Sequence, residues 1–459
     1  MKITILGAGQ VGSTIAAQLS QEDDNEITIV DANSENLEAL QEKLDIRTVT
    51  GLASYPHVLA QAGVEEADML VAVTSSDEVN MIACQIAHSL FSTPMKIARI
   101  RSQSYTKHGN ELFLNKVIPI DVIISPEQVI TRQICRLIRY PGALQVLNFA
   151  GTKVRLVAIK VDRNSILAGH PASFLSNIDK HIDAKVVAIF RDNQGIIPGA
   201  NTTLLPGDEI FFISANDDIK TLMSKIYEDR PRFNSIMIAG GGNIGTYVAK
   251  RLEADYDIKL IEIDPKHSER ACHTLDRTII LLGDATDSDL LNQENIENID
   301  IFCSLTNDDE NNIMSAMQAK RLGAKYAISL INRPAYVDLV EGGDIDIAIS
   351  PQHATIGALL AHIRRGDVEK VHSLRKGAAE AIEAVAHGSA ETSKVVGRKV
   401  SALKLPEGAV VGAVVREDQV YIHCEDVMIQ ADDHVVLFMT NKRKIRDIES
   451  LFQVSSGFL

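Results

Sequence analysis

The chain has 459 residues, 45% hydrophobic and 23% charged, with a formal net charge of −15 at pH 7. At ~100–200 residues per domain, that length asks for three or four domains with real cores. The acidic balance disfavours nucleic acid, which needs a basic footprint, and general adhesion to anionic lipid. It leaves open docking on a basic protein surface, such as the cytoplasmic side of a membrane protein. No apolar run approaches the ~18 residues of a membrane span, and the N-terminus goes straight into a strand-like run, so secretion is not expected.

In chain order, Ile3-Thr4-Ile5-Leu6 reads as a strand that breaks at Gly7-Ala8-Gly9 and resumes as a helix from Val11-Gly12. This is G-x-G-x-x-G between a strand and a helix. Gly7 permits the turn, Gly9 lets the backbone approach a pyrophosphate, and Gly12 lets the helix pack on the strand. The amides opening the helix face the phosphates in that arrangement. Ile27 to Val30 is the next strand and ends at Asp31, where a carboxylate can accept hydrogen bonds from ribose hydroxyls. Then come a helical segment Ser34–Leu44, a strand Thr48–Thr50 turning at Gly51, a helix Pro56–Ala62 and a buried-type strand Asp68–Val73. Ser75 and Glu78 are spaced as a capping box for a helix Val79–Leu90. Strands at Lys96–Ile100 and Val122–Ile124 complete an alternation that argues for a parallel, doubly wound sheet.

The whole pattern then recurs. Ser235–Ala239 leads into Gly240-Gly241-Gly242-Asn243-Ile244-Gly245, and a strand follows that ends at Asp264. Gly240 lies 233 residues after Gly7, and Asp264 lies 233 after Asp31. Gly283 matches Gly51, Asp300 matches Asp68, and Thr306 to Asn312 matches Thr74 to Asn80. Ile345 to Pro351 repeats Ile120 to Pro126. A repeat this long is a duplicated domain and not a solenoid unit.

After Pro126, Val129, Ile130, Leu137 and Ile138 fall at helical spacing with Arg132, Arg136 and Arg139 on the other side, and Pro141-Gly142 stops the helix. The counterpart carries Ile356, Leu359, Leu360 and Ile363 before Arg364-Arg365-Gly366. Each helix either packs on its own sheet or crosses to a second protomer. Next come β-rich stretches at Arg155–Ile159, Val186–Phe190 and Glu209–Ile213, with Pro206-Gly207-Asp208 as the turn before the last. In the second copy they stand at Ala378–Val385, Val410–Val415 and His434–Met439. These are small α+β modules with no nucleophile beside a base and no metal-ligand cluster. His423 and His434 read as isolated, and the scattered Cys84, Cys135, Cys272, Cys303 and Cys424 read as buried thiols of a reducing cytoplasm. Tyr227–Asn234, with Asp229-Arg230-Pro231-Arg232, is the expected linker.

Two tandem copies of G-x-G-x-x-G, strand-end Asp, T-x-x-D-E-x-N and I-D-x-x-I-S-P, each before a β-rich module, resemble the TrkA family, the peripheral regulatory subunits of bacterial Trk potassium uptake systems. The resemblance covers essentially the whole chain. It implies two Rossmann-like nucleotide-binding (KTN) domains, at 1–125 and 232–350, each followed by a small α+β RCK-C domain, at 140–227 and 366–455. It implies NAD(H) and ATP/ADP as ligands, a Trk-type membrane potassium transporter subunit as partner, and a homodimer or homotetramer ring on the inner face of the cell membrane.

Carried over by position, Gly7, Ala8, Gly9, Gln10, Val11 and Gly12 hold the pyrophosphate of the first copy and Asp31 the ribose. Thr74 and Ser75 line the far side, and Arg99 reaches a terminal phosphate. In the second copy Gly240, Gly241, Gly242, Asn243, Ile244, Gly245, Asp264, Thr306 and Asn307 take these places, and Asp284 meets the adenine edge. Asp284 aligns with Leu52 and Arg99 with Leu330, so one site lacks the acid and the other the arginine. The implied role is nucleotide sensing without catalysis. The alternative, an NAD-dependent oxidoreductase, needs a substrate domain with an acid or base near the nicotinamide, and the modules offer no candidate.

Overall fold

The computed structural model describes residues 1–20, 25–114, 117–192, 194–227, 233–340, 343–363, 368–374, 379–440 and 444–453. Most of the expected linker, Asp229 to Arg232, lies outside them, as do Arg364-Arg365-Gly366 and Ala378. The chain divides into two compact units, Met1–Ile130 with Ser350–Leu359, and Thr131–Ile349 with Leu360–Leu459.

In the first unit, strands β1 (Lys2–Leu6), β2 (Glu26–Asp31), β3 (Arg47–Thr50), β4 (Met69–Ala72), β5 (Met95–Arg99) and β6 (Val122–Ile124) form one parallel sheet in the order β3-β2-β1-β4-β5-β6. Helices α1 (Gln10–Leu19), α2 (Ser34–Gln41), α3 (Pro56–Gln61), α4 (Asp77–Phe91), α5 (Gln103–Thr106) and α6 (Pro126–Arg139) connect or follow them. The strand order reverses between β1 and β4, which opens a crevice at their carboxyl ends, where ligands bind in such sheets. Central strands β1 and β4 read as near-continuous apolar runs because both faces are covered; Ile3, Ile5, Leu70 and Val71 are all buried.

The second unit begins with an antiparallel sheet of β7 (Ala143–Phe149), β8 (Val154–Lys160), β9 (Ala184–Arg191), β10 (Gln194–Ile196) and β11 (Glu209–Ala215), ordered β10-β9-β11-β8-β7 and covered by α7 (Asn216–Ile226). A second parallel sheet follows, from β12 (Ser235–Ala239), β13 (Asp257–Glu262), β14 (Ile279–Leu282), β15 (Ile301–Ser304), β16 (Tyr326–Leu330) and β17 (Ile347–Ile349), ordered β14-β13-β12-β15-β16-β17. Its helices are α8 (Asn243–Leu252), α9 (Pro265–Thr274), α10 (Ser288–Gln293), α11 (Asp309–Arg321) and α12 (Pro334–Val340), with α13 (Pro351–Ile363) after it. The last sheet, β18 (Val368–Leu374), β19 (Ala379–Val385), β20 (Ala409–Arg416), β21 (Gln419–Tyr421) and β22 (His434–Met439), is ordered β18-β19-β22-β20-β21 and covered by α14 (Ile445–Phe452). The edge strands β7, β10, β18 and β21 are additions to the three strands read from sequence in each module.

The two small sheets share one apolar core, in which Phe211 packs at a tilt against Phe438 with centroids 5.3 Å apart and edge-on against Phe190 at 5.6 Å. His434 is not isolated: its Nδ1 lies 2.7 Å from the buried Glu383, whose other oxygen accepts the Ala150 amide at 2.9 Å. Cys272 is exposed, while burial pushes the thiols of Cys84 up to about 12 and of Cys135 and Cys424 up to about 11, values at which thiolate chemistry is absent.

The connecting helices serve the opposite halves of the chain. Ser350–Leu359 of α13 belongs to the unit of the first sheet, where Gln352 donates to the Gln10 carbonyl at 3.0 Å and to Thr14 Oγ1 at 2.5 Å. Arg139 of α6 donates to the Arg251 carbonyl at 3.4 Å, at the end of α8, with Asp255 at 3.8 Å. The start of α13 therefore packs with the first sheet and not with the sheet that precedes it.

Each small sheet repeats a buried fork. Asp208, 2% exposed, takes two hydrogen bonds of 2.8 Å from Arg191 and one from the Leu205 amide. Asp433, fully buried, takes the same set from Arg416 and the Gln430 amide. Burial alone raises the Asp208 carboxyl, but the Arg191 hydrogen bond, the Leu205 amide and the Arg191 charge outweigh it and hold the group low. Its contribution to stability is therefore full above the ordinary value of about 3.9 and is lost as pH falls through the lower folded value. Asp208→Asn is expected to lower stability at pH 7 by on the order of 3 kcal/mol, since it strands Arg191. It should also flatten the acid limb of the urea midpoint below about pH 4. A midpoint unchanged at pH 7 would rule this out.

Candidate functional site

The two glycine turns lie at the carboxyl ends of β1 and β12, and each glycine has its own constraint. Gly7 and Gly240 have φ of +105° and +108°, and a Cβ there would stand 3.0 Å from the backbone of Thr74 or Leu305. A Cβ on Gly12 would stand 1.8 Å from the Gly7 carbonyl oxygen, and one on Gly245 1.9 Å from that of Gly240. These four glycines are required by the turn and by the helix pressed against it.

Gly9 and Gly242 are different. Their φ values, −70° and −67°, suit any residue, and a Cβ on either would meet nothing within 4 Å. Neither backbone conformation nor packing requires a glycine there, and the missing side chain leaves the helix end open. Both are N-cap positions without a side-chain cap, and neither helix has an acid in its first turn. The amides of Gln10, Val11 and Gly12 precede the first intrahelical bond, Ser13 N to Gly9 O, and those of Asn243, Ile244 and Gly245 precede Thr246 N to Gly242 O. Such amides, at the positive end of a helix, favour an anion.

Asp31 ends β2 and shapes the turn: Oδ2 accepts the Ala8 amide at 2.6 Å and Oδ1 the Asn33 amide at 2.8 Å. The structural counterpart of Asp31 is Glu262. Leu6 pairs with Val30 and Ala239 with Ile261, so the next residues, Asp31 and Glu262, occupy one place. Glu262 accepts the Gly241 amide at 2.5 Å and the Asp264 amide at 2.8 Å. Asp264 instead matches Asn33 as the N-cap of the following helix, accepting the Lys266 and His267 amides. The equal spacing of 233 therefore misaligned the acids. Six residues separate α1 from β2 and only four separate α8 from β13, so the register slips by two. Gly241 compensates for the longer acid: a Cβ on it would stand 3.0 Å from Glu262 Oε2, whereas Ala8 faces the shorter Asp31.

Across the crevice, the T-x-x-D-E-x-N motif is a clamp. The fully buried Asn80 accepts from Thr74 N at 3.0 Å and Thr74 Oγ1 at 2.7 Å, and donates to the Arg99 carbonyl at 2.9 Å. Asn312 repeats this with Thr306 and the Leu330 carbonyl. Asp77 accepts the Arg101 and Ser102 amides after β5, and Asp309 the Asn332 and Arg333 amides. The helix cap is Ser76, not Ser75; its hydroxyl accepts the Val79 amide at 3.3 Å and donates to Glu78 at 2.8 Å. Ser75 and Asn307 are left exposed between the strand end and the cap. Asn80 and Asp77 were legible only as motif letters, because their partners lie across the sheet.

Arg99 ends β5 with its Nε buried and, among the described residues, without a hydrogen-bond partner. Burial and then the Arg101 charge push its guanidinium down, against Glu127 and Asp77. Asp284 is exposed after β14 and accepts from the Thr286 amide and hydroxyl at 2.8 Å. The register places it opposite Leu52, and Arg99 opposite Leu330, as the sequence reading had them.

The TrkA-N domain model matches residues 3–126 and 236–351, and the TrkA-C domain model matches residues 156–227 and 390–453. The chain is 55% identical to the Trk system potassium uptake protein TrkA of Halomonas elongata, 53% to that of Vibrio alginolyticus and 49% to that of Haemophilus influenzae, each over all of both chains. Among solved structures, the GsuK RCK domain is similar at a TM-score of 0.62 and 18% identity, covering 98% of this chain and 94% of that one. The GsuK channel bound to NAD is similar at 0.61 and 18%, covering 98% and 78%. These structural likenesses establish the fold.

The glycines separate by constraint, and so should their variants. Gly12→Ala and Gly245→Ala are expected to destabilise the chain severely, since backbone must move. Gly9→Ala and Gly242→Ala should cost no more than about 1 kcal/mol. Urea unfolding of the four variants measures this; equal losses would contradict it.

Proposed function

This chain belongs to the TrkA family of Trk-system potassium uptake proteins, and we propose that it is the nucleotide-sensing subunit that gates a Trk-type membrane potassium transporter. It is a regulatory subunit and not an enzyme. The observation that supports the ligand is the pair of glycines, Gly9 and Gly242, which neither φ nor packing requires and which leave the helix ends open. The proposed ligands are NAD(H) and ATP/ADP, which share a pyrophosphate, a ribose and an adenine. Gly7 to Gly12 hold the phosphates of the first copy and Gly240 to Gly245 those of the second. Asp31 and Glu262 hold the riboses from the ends of β2 and β13, with Asp264 beside Glu262 as helix cap. Thr74, Ser75, Thr306 and Asn307 close the far side, Arg99 meets a terminal phosphate and Asp284 an adenine edge.

The proposed domains are the nucleotide-binding 1–125 and 232–350 and the small 140–227 and 366–455. No described helix is long and apolar enough to cross a membrane. The proposed setting is cytoplasmic, as a homodimer or homotetramer ring held at the membrane by the transporter partner.

A ligand shifts a conformational equilibrium only through different affinities for the two states. Gln352 supplies the lever: it hydrogen-bonds the Gln10 carbonyl in the first phosphate loop and stands at the start of α13, which leads to the last small sheet. A ligand that moves the loop moves that helix. Coupling of about 1–3 kcal/mol is usual and changes open probability roughly 5–150-fold.

Because the connecting helices are exchanged between halves, the sites are best read in the intact chain with one blocked by Gly9→Val or Gly242→Val. Asp31→Ala and Glu262→Ala should each weaken NADH and ADP at their own site by roughly ten- to a hundredfold in calorimetry. Asp264→Ala should have the smaller effect. Arg99→Leu should reduce ATP preference at the first site alone. Potassium flux through the reconstituted membrane subunit, with this protein at several nucleotide concentrations, tests gating. Flux indifferent to nucleotide despite binding and complex formation would defeat it.

A further inference from the structure

Five arginines gather on one face in the second unit, away from that unit's glycine turn. Arg132, Arg136 and Arg139 project from α6 at i, i+4 and i+7. Arg155 comes from β8 and Arg251 from the last turn of α8. Arg155 is fixed, its guanidinium 5.0 Å from the Tyr140 ring centroid, bonded to the Tyr140 hydroxyl and to Asn148 Oδ1 at 2.9 Å. Arg139 reaches the Arg251 carbonyl at 3.4 Å, with the exposed Asp255 at 3.8 Å.

Arg136 stands out. It is half-buried, yet among the described residues its guanidinium has neither a hydrogen bond nor a carboxylate in ion-pair range. Burial, then the charges of Arg132 and Arg155, push it down. An unpaired, partly desolvated charge facing like charges is costly. Carboxylates are not scarce in a chain with 61 of them. Nor does the helix require arginine: counted from Ser125-Pro126 and Ser350-Pro351, Arg132 and Arg136 correspond to Gly357 and Ala361 of α13. Arg251 lies at the end of α8 away from Gly242, about 15 Å along the helix, beyond the reach of that turn's phosphates.

We propose that this face of α6, with Arg155 and Arg251, is a binding site for a small polyvalent oxyanion of the phosphate or pyrophosphate class, distinct from the nucleotide turns. Planar guanidinium forks match phosphate oxygens, and a multivalent anion offsets the repulsion that Arg132 and Arg155 exert on Arg136. Arg136 and Arg155 are half-buried, and guanidiniums so placed admit a compact ion better than a flat bilayer.

The test is calorimetric titration of the full chain with pyrophosphate, in a Gly9→Val/Gly242→Val background that closes both nucleotide turns. Saturable binding is expected, weakened about ten- to a hundredfold by Arg136→Gln and weakened also by Arg251→Gln, an exposed position where folding is safe. Without ligand, Arg136→Gln should melt no lower than its parent, because it removes repulsion and breaks no ion pair. Vesicles containing phosphatidylglycerol should not sediment the protein. The proposal is overturned if pyrophosphate does not bind the background chain, if both variants bind it as tightly, if Arg136→Gln melts lower, or if only the vesicles are bound.

Discussion

Everything at the crevice depends on one close approach, that of Gly12 to the Gly7 carbonyl, repeated by Gly245 and Gly240. A methyl group has no room between them. Because the helix can press down onto the turn, its unbonded amides stand at the point where the strand order reverses. The chain thereby converts a helix end into fixed positive potential without spending a charged side chain. Gly9 and Gly242 then do the opposite of packing: they leave space.

The polar residues around the crevice work first as structure. Asp31 and Glu262 pin the turns, Asn80 and Asn312 tie two strand ends together, and Asp77 and Asp309 hold the loops beyond. Buried polar groups of this kind fix geometry when every partner is met. The two copies meet the same demand differently. A longer acid at 262 comes with a glycine at 241, and a shorter acid at 31 comes with Ala8. The ends of the sites also differ, Arg99 against Leu330 and Leu52 against Asp284, so duplication has produced two related but unequal crevices.

Duplication has also bound the halves together. Ser350–Leu359 joins the first sheet's unit, Arg139 reaches the end of α8, and the small sheets share the core around Phe211 and Phe438. An apolar stripe on a connecting helix, such as Ile356 and Leu359, must be buried somewhere, and a tandem chain always offers its own other half at high effective concentration. The shared burial makes the small sheets one body, and the Gln352 contact makes the first phosphate turn part of the second half's connection.

Much of this was decided by local chemistry and could be read from the residues alone. The alternation of apolar runs and helices, the glycine turns, and the parallel, doubly wound class of both large sheets follow from periodicity and from residues that only one turn accepts. The pairings of Arg99 with Leu330 and Asp284 with Leu52 also followed, because matching residues beside them, Tyr105 with Tyr336 and Gly51 with Gly283, fix the register. Register across an insertion was decided in three dimensions: two fewer residues before β13 put Glu262, and not Asp264, at the place of Asp31, which a constant spacing had concealed. The Glu383–His434 pair joins residues 51 apart in sequence, whereas the cap at Ser76 rests on the nearby Val79 amide and β7 and β18 each pair with the strand that follows. The destination of the connecting helices was likewise settled only by tertiary structure, since a buried stripe specifies that it needs a partner surface and carries no information about which half supplies it.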